Sequence, residues 1–178
     1  MAENLKVTHY RNGEAIHNVT DSTKWHGLIT GAYCEYENRV DSAAIYGRLY
    51  NWFSVNDRRS IAPLGWHVAS DSDWKILADY LGGDSVAGGK MKETASSHWK
   101  GLSVNTGATN KSGFTGLPGG YRDHKGHYGA IGLCTYFWST TERTSSTVWD
   151  RSLGHNYSDL DRSYGYKQHG FSVRCVKD

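Results

Sequence analysis

Residues 70–83 read Ser-Asp-Ser-Asp-Trp-Lys-Ile-Leu-Ala-Asp-Tyr-Leu-Gly-Gly. The Ser70 hydroxyl can cap the free amides at the start of a helix, and Asp73 follows three residues later, near the positive end of the helix dipole. Apolar side chains then recur at the helical spacing i, i+3, i+4 and i+7: Trp74, Leu77, Ala78 and Leu81. Two glycines, Gly82 and Gly83, supply the stop. We therefore predict a short helix over about 71–81.

The last third of the chain alternates as strands do. Residues that share a predicted strand face are Trp149, Arg151 and Leu153, and then Phe171, Val173 and Cys175. Because alternation separates a core face from a solvent face, we expect Asp150 and Ser152 to be displayed to solvent. Near the start, Asn12-Gly13 predicts a hairpin over about residues 4–19. The apolar residues 45–55 fit the helix and strand periods equally, so we predict only that they are buried.

Composition favours a turn-rich sheet protein with an aromatic core. The 178 residues include 21 Gly but 2 Pro, and they include 7 Trp and 12 Tyr. This length suits a single domain over 1–178. Side chains expected to be mostly buried are Trp66, Trp74, Leu77, Trp138, Phe171 and Val173. Together with the predicted helix, these features indicate the α+β class, with short helices packed on a twisted antiparallel sheet.

Charge and hydropathy exclude two classes of partner. The 20 Lys and Arg are interspersed with 18 Asp and Glu, without the basic stripe that a phosphate backbone requires, so we predict no nucleic acid partner. No run approaches the roughly 18–20 apolar residues that cross a bilayer, so we predict no membrane insertion. The first residues of this chain lack the pattern of a signal peptide.

The cysteine, histidine and serine residues of the chain do not form a catalytic or metal-binding motif. Cys34, Cys134 and Cys175 are odd in number and widely spaced, unlike a disulfide framework or a CxxC metal site. His124 and His127 could supply two metal ligands, but a third ligand of convincing spacing is missing. No Gly-x-Ser-x-Gly elbow provides a nucleophile. We predict no catalytic residues, no bound metal and no cofactor.

Residues 150–169 read Asp-Arg-Ser-Leu-Gly-His-Asn-Tyr-Ser-Asp-Leu-Asp-Arg-Ser-Tyr-Gly-Tyr-Lys-Gln-His. This mixture of Tyr, Ser, Gly, Asp and His is typical of antibody-like binding surfaces, where rigid rings supply area and small polar groups supply hydrogen bonds. A polar solvent face is the alternative interpretation. The predicted binding residues are Tyr136, Asp150, Ser152, His155, Tyr157, Asp159, Asp161, Ser163, Tyr164, Tyr166 and His169. The ten from Asp150 to His169 are expected to be accessible and to cluster on one face. We expect the side chains of Tyr164 and Tyr166 to project outward.

Eight ordered segments resemble one family. They are residues 1–6, 46–52, 65–68 (Gly-Trp-His-Val), 87–93, 108–114, 117–122 (Leu-Pro-Gly-Gly-Tyr-Arg), 137–142 (Phe-Trp-Ser-Thr-Thr-Glu) and 170–176 (Gly-Phe-Ser-Val-Arg-Cys-Val). In this order they resemble the Fibrobacter succinogenes major paralogous domain. The resemblance implies a C-type-lectin-like fold, related to the formylglycine-generating enzyme group, with C-terminal strands as the display face.

The resemblance also carries expectations about function. Proteins of this fold class include the variable proteins of diversity-generating retroelements, whose variable segments lie where residues 135–169 lie here. Calcium-dependent lectins of the fold use Glu-Pro-Asn or Gln-Pro-Asp, and neither tripeptide occurs in this chain. The thiol chemistry of the formylglycine-generating group needs a cysteine pair shortly upstream of Cys175, but residues 135–174 contain no cysteine.

The leading hypothesis is therefore a non-enzymatic ligand-binding or display domain with a variable C-terminal recognition surface, similar to an adhesin or receptor-binding protein. Its partner would be an unknown protein or glycan on a cell or phage surface. The alternatives are a formylglycine-generating-type enzyme and a purely structural domain of a surface or phage fibre protein. The resemblance implies an extracellular, cell-surface or phage-particle location rather than a cytoplasmic one.

Overall fold

The computed structural model describes residues 1–94, 97–100 and 106–178. Its helices are α1 (Ser22–His26), α2 (Val40–Tyr46), α3 (Trp52–Val55), α4 (Asp71–Tyr80), α5 (Asp84–Met91) and a 3₁₀ turn (Tyr36–Asn38). Its strands are β1 (His17–Asn18), β2 (Ala32–Cys34), β3 (Leu49–Tyr50), β4 (Trp66–Val68), β5 (Gly119–Arg122), β6 (Tyr128–Ile131), β7 (Cys134–Glu142), β8 (Thr147–Gly154), β9 (Asp161–Tyr166) and β10 (Cys175–Lys177). The predicted α+β class is confirmed. No helix in the described ranges is long and apolar enough to span a membrane.

The principal sheet is curled and has the strand order β6-β5-β7-β8-β9. Its neighbouring strands are antiparallel, except that β5 and β7 run parallel. Two smaller sheets, β1-β2-β3 and β10-β4, flank it. The principal sheet is therefore mixed rather than antiparallel as predicted, and the small β1-β2-β3 sheet is mixed as well, because β1 and β2 pair in parallel.

Helix α4 forms as predicted and ends one residue earlier, at Tyr80. Ser70 and Asp73 form a reciprocal capping box, and the chain leaves the helix through Gly82 at φ +99°, a conformation that favours glycine. The Trp74 ring packs 5.5 Å from Phe137 of β7, measured between ring centroids. The capping residues, the spacing of the apolar side chains and the two glycines all indicate the same helix, and the prediction of this helix is confirmed.

Two sequence predictions near the start need revision. Instead of the predicted hairpin over about 4–19, the structure has one isolated antiparallel bridge, between His9 and Ala15. Residues 17 and 18, which form β1, pair in parallel with β2 rather than with the residues that precede the turn. The segment 45–55 divides between the end of α2, strand β3 and helix α3. Asn51 caps the start of α3 by accepting a hydrogen bond from the Ser54 amide. The helix period and the strand period both fit residues 45–55 because the segment contains helical residues as well as a strand.

Strand β8 is buried on both faces. Leu153 and its neighbour Phe137 pack in one cluster with Trp74, whereas Val148 and Trp138 pack in another on the opposite face. The prediction that Asp150 and Ser152 face solvent is therefore wrong: both are buried. Alternation separates core from solvent only when one face of a strand is wet, and β8 lies between β7 and β9 with structure on either side. Of the expected core residues, four are buried and two, Trp66 and Leu77, are half-buried.

Candidate functional site

Cross-strand register gathers five of the predicted binding residues on one side of the principal sheet. Ser152 lies opposite Tyr136 on β7 and opposite Asp161 on β9, and Asp150 lies opposite Ser163. Directly paired residues of antiparallel strands point to the same face. We call this set, Tyr136, Asp150, Ser152, Asp161 and Ser163, the Tyr136 face.

The Tyr136 face is a buried polar floor that opens toward strand β9. Asp150 is 1% exposed and Ser152 is also buried, whereas Tyr136 and Ser163 are half-buried and Asp161 is exposed. A ligand that reached this face would meet the β9 side chains first.

Asp150 is the unusual group of this floor. Its Oδ1 atom is buried and has no hydrogen-bond partner within the described part of the chain. Burial, with a smaller contribution from the nearby Asp161 and against the opposing charge of Arg151, raises the pKa of this carboxyl to about 7. Since buried polar atoms in proteins are nearly always hydrogen-bonded, this unpartnered oxygen distinguishes Asp150 from the other four residues of the Tyr136 face.

Tyrosine rings form the wall beside Asp150. The Tyr136 ring stacks on Phe171 at 4.9 Å and meets Tyr121 edge-on at 5.4 Å between centroids. The Tyr157 hydroxyl lies 3.4 Å from the Ser152 hydroxyl. Burial raises the pKa of both Tyr136 and Tyr157, so their hydroxyls stay protonated and can donate hydrogen bonds at neutral pH.

A buried lysine anchors the loop that carries Tyr157 through hydrogen bonds to its main chain. Lys92 is fully buried, and its Nζ atom donates hydrogen bonds to the carbonyl oxygens of Gly154 (2.9 Å) and Tyr157 (2.7 Å). Burial lowers the pKa of this lysine to about 8. A side chain added at Gly154 would collide with the Tyr157 ring, so this glycine lets the ring lie against the end of β8.

His169 closes the other end of the Tyr136 face. Its ring lies 5.2 Å from Phe171, and its Nδ1 atom is buried without a partner among the described residues. Its Nε2 atom lies 3.3 Å from Nδ1 of His124. Burial lowers the pKa of His169 to about 4, helped by the neighbouring His124, so the ring is neutral at physiological pH.

One further predicted residue, Tyr166, contacts the end of this cluster: its ring lies 4.9 Å from that of His124 and 5.8 Å from that of His169, between centroids. Tyr164 and Tyr166 project outward as predicted, at 52% and 48% exposure. Tyr164, however, lies on the opposite side of the sheet, with Trp149 edge-on and the Arg143 guanidinium 4.0 Å above its ring.

His155 and Asp159 lie in the loop between β8 and β9, where His155 is half-buried and Asp159 is exposed. The expectation of a single face for all ten residues from Asp150 to His169 is therefore wrong, because successive β9 side chains such as Ser163 and Tyr164 alternate between faces.

Two neighbours of the cluster lie outside the segment that the sequence singled out. Tyr121 comes from β5 and His124 from the following turn, and only the tertiary fold brings them to Tyr136 and His169. The sequence marks Tyr121 only as part of residues 117–122, one of the segments that carry the family resemblance, and that resemblance does not assign it to a site.

The expectation that no metal binds stays a prediction. His127 lies 3.2 Å from the Asp123 carboxylate, whereas His124 contacts His169 instead. Within 1–94, 97–100 and 106–178, no group of three or more His, Cys, Asp or Glu is placed to hold a metal ion.

Comparisons with known proteins bear on the whole chain. A family model described as the Fibrobacter succinogenes major domain matches residues 1–177. Comparisons with curated proteins and with solved structures found no match. The family match covers the strands that carry the Tyr136 face as well as the helices that support them. The chain therefore belongs to the Fibrobacter succinogenes major domain family.

Proposed function

We propose that this domain is a non-enzymatic binding module that holds a protein or glycan ligand on the Tyr136 face. The observation that carries the proposal is the Asp150 carboxyl, which is buried and whose Oδ1 lacks a hydrogen-bond partner in the described structure. Replacing this acid with an apolar residue, or with a polar residue that has a hydrogen-bond partner, would raise the free energy of unfolding. Stability alone therefore does not explain an acid at this position. Its presence fits a group reserved for a ligand.

The chemistry of the face suits a hydroxyl-rich or amide-rich ligand. Asp161 and Asp150 can accept hydrogen bonds, and Tyr136 and Tyr157 can donate them while offering ring surface for stacking. Because Tyr136 and Asp161 stand on strands rather than on free loops, their positions are fixed before the ligand arrives, which lowers the entropy lost on binding.

The proposal includes a C-type-lectin-like fold whose residues 135–169 form the variable segment of a retroelement-diversified protein. The curled sheet with short helices packed against it supports the fold, and the location of all five residues of the Tyr136 face on β7, β8 and β9 supports the segment. An extracellular, cell-surface or phage-particle location follows from this role.

Burial of the thiols disfavours the alternative of a formylglycine-generating-type enzyme. Burial raises the pKa of Cys34, Cys134 and Cys175 to about 11 in each case. A thiol with such a pKa is almost entirely protonated at neutral pH, whereas thiol chemistry requires the thiolate. A purely structural domain, the other alternative, would have no use for the unpaired acid at Asp150.

The test is a binding screen with a matched pair of variants. The native domain is presented to a glycan array and to purified bacterial surface proteins, and at least one saturable interaction is expected. The double variant Asp161→Ala/Ser163→Ala should weaken that interaction at least about tenfold, because both side chains stand at the open edge of the Tyr136 face. Its melting temperature should shift by only a few degrees, since substitutions of accessible residues usually change stability by less than about 0.5 kcal/mol each.

The control is Asp41→Ala/Ser42→Ala, which makes the same chemical changes on α2. This control should bind as the native domain does. The proposal is wrong if no probe binds, if both double variants bind equally well, or if loss of binding coincides with unfolding of the Asp161→Ala/Ser163→Ala domain.

A further inference from the structure

Strand β9 forms one edge of the principal sheet. It pairs with β8 on one side, and no strand or isolated bridge of the described residues pairs with its other side. The start of α5 lies beside the start of β9, where the Leu160 amide donates a hydrogen bond to the Asp84 carbonyl (2.8 Å). Beyond that point four of the six β9 residues are exposed: Asp161, Arg162, Tyr164 and Tyr166. The outer edge of β9 is therefore open to solvent.

The register with β8 determines which main-chain groups face the outer edge. The Lys167 amide donates a hydrogen bond to the Ser146 carbonyl (3.1 Å), and this pair continues the β8–β9 register, so the main chain of Lys167 faces β8. Along an antiparallel strand, the main-chain groups of successive residues point to opposite edges. The residues whose main chain points away from β8 are therefore Arg162, Tyr164 and Tyr166. Apart from the Tyr166 carbonyl, which accepts a bond from the His169 amide, these main-chain groups have no hydrogen-bond partner within 1–94, 97–100 and 106–178.

An open edge of this kind is a template for an additional strand, because each unpaired N–H and C=O group can bond to the main chain of an extended partner. Many proteins protect such an edge with a proline, a bulge or charged side chains. Strand β9 contains no proline, and its six residue pairs with β8 follow one another without a bulge. The guanidinium of Arg162 is hydrogen-bonded to Asp71 (2.9 Å), and residues 163–166 carry no charge. Residues 163–166 therefore have none of these protections.

An exposed cation lies beside this edge. The Arg143 guanidinium lies 4.0 Å from the centre of the Tyr164 ring, on the side of the sheet that also holds Trp149. The neighbouring Glu142 is ion-paired with Lys167 (2.7 Å). Arg143 itself is exposed and forms no ion pair in the part of the chain that the structure describes. A carboxylate that arrives at the β9 edge would therefore meet this cation without displacing an existing partner.

We propose that an extended segment of another protein adds to β9 as a further antiparallel strand, with an Asp or Glu opposite Tyr164. A residue at that place would exchange both main-chain hydrogen bonds with Tyr164 and would point to the same side of the sheet, where Arg143 lies. A second copy of this chain suits the edge less well, because pairing two β9 strands about Tyr164 would bring two Arg143 side chains together. This surface uses the main chain of β9, whereas the Tyr136 face uses side chains on the opposite side of the sheet, so neither depends on the other.

Fluorescence anisotropy of the labelled peptide Thr-Val-Thr-Glu-Thr-Val-Thr-amide tests the proposal. Saturable binding to the native domain is expected, and the same peptide with Lys at its centre should bind at least about tenfold more weakly. Binding of the Glu peptide should weaken as salt is added, because Arg143 is exposed. Equal binding of the two peptides would overturn the acidic partner, and the absence of saturable binding by either would overturn strand addition.

Two methylated peptides test main-chain pairing without any change to the domain. Methyl groups on the main-chain nitrogens of the central Glu and of the residues two positions to either side would block the N–H groups that face β9, and they should abolish binding. The matched control carries methyl groups on the intervening nitrogens, which point away from β9, and it should bind as the unmodified peptide does. Equal affinities of the two methylated peptides would refute main-chain pairing.

Variants of the domain test the role of the cation. Arg143→Gln should weaken binding of the Glu peptide about fivefold without weakening that of the Lys peptide. Arg39→Gln makes the same change at an exposed arginine just before α2 and should bind as the native domain does. Equal affinities of these two variants for the Glu peptide would refute the role assigned to Arg143.

Sedimentation velocity distinguishes the other occupant. Proline is compatible with position 164, because the Tyr164 N–H makes no bond to β8. The native domain is expected to sediment as a monomer, as is Tyr164→Pro. A native dimer that Tyr164→Pro converts to a monomer would overturn the proposal by assigning the β9 edge to a second copy of this chain.

Discussion

The Asp150→Asn variant is expected to be more stable than the native domain by about 2–4 kcal/mol above about pH 8. Asp150 is buried, its Oδ1 has no partner in the described structure, and its pKa is raised to about 7. At alkaline pH the native fold must keep this carboxylate ionised out of water, whereas the amide of the variant is neutral and nearly the same shape.

The pH dependence has a defined sign. The folded pKa of about 7 lies above the ordinary value of 3.8, so the native state binds more protons than the unfolded chain between these two values. The contribution of Asp150 to the free energy of unfolding is therefore full below about pH 4 and is lost as the pH rises through about 7. The advantage of the variant should grow over the same interval.

Urea denaturation of the native domain and the variant between about pH 4 and pH 9 measures this difference. Subtracting the two curves removes the titration of other groups, including His169. Asp159→Asn, which makes the same change at an exposed carboxylate of the loop between β8 and β9, is the control and should differ from the native domain by less than about 0.5 kcal/mol. A constant difference across the pH range would show that the native fold does not hold Asp150 with a raised pKa.

Truncation of Trp74 to alanine should lower the free energy of unfolding by about 3–5 kcal/mol. The ring is 2% exposed, packs against Phe114 and Phe137, and donates a hydrogen bond from Nε1 to the Trp138 carbonyl (3.2 Å). The substitution would leave a cavity between α4 and the principal sheet, together with a carbonyl that has lost its donor.

Ile76→Ala is the matched control for Trp74→Ala. Ile76 lies on the same helix but is 67% exposed, so its truncation should change stability by less than about 0.5 kcal/mol. Thermal and urea denaturation of both variants measure the contrast. Similar values for the two would contradict the packing of α4 on the sheet through Trp74.

The sequence predicts elements well where the signals are local. Helix α4 has its cap, its apolar spacing and its stop within residues 70–83, so no distant contact is needed to recognise it. The prediction that one face of β8 meets solvent is wrong because alternation between Trp149 and Asp150 carries no information about what covers each face of the strand. That information resides in α4 on one side and in Phe171 and Trp138 on the other, which are far apart in sequence.

The sequence also predicts only part of the candidate site. Composition indicates residues 150–169, but it does not show on which side of the sheet each residue lies. The prediction therefore groups Tyr164 with Ser163, although neighbouring residues of a strand point in opposite directions. The contribution of Tyr121 depends on the pairing of β5 with β7, which no local pattern specifies.

The contacts of Lys92 bear on how far this loop can evolve. Within the described part of the chain, the hydrogen bonds of its ammonium group all go to main-chain oxygens, those of Gly154 and Tyr157, and every amino acid supplies such an oxygen. Replacement of the side chains at positions 155 to 157 therefore leaves the acceptors of this anchor in place. Related proteins could therefore carry different side chains at these positions and still hold the loop in the same place. The side chains would determine what is bound, and the main-chain oxygens of the same residues would keep the loop anchored to Lys92.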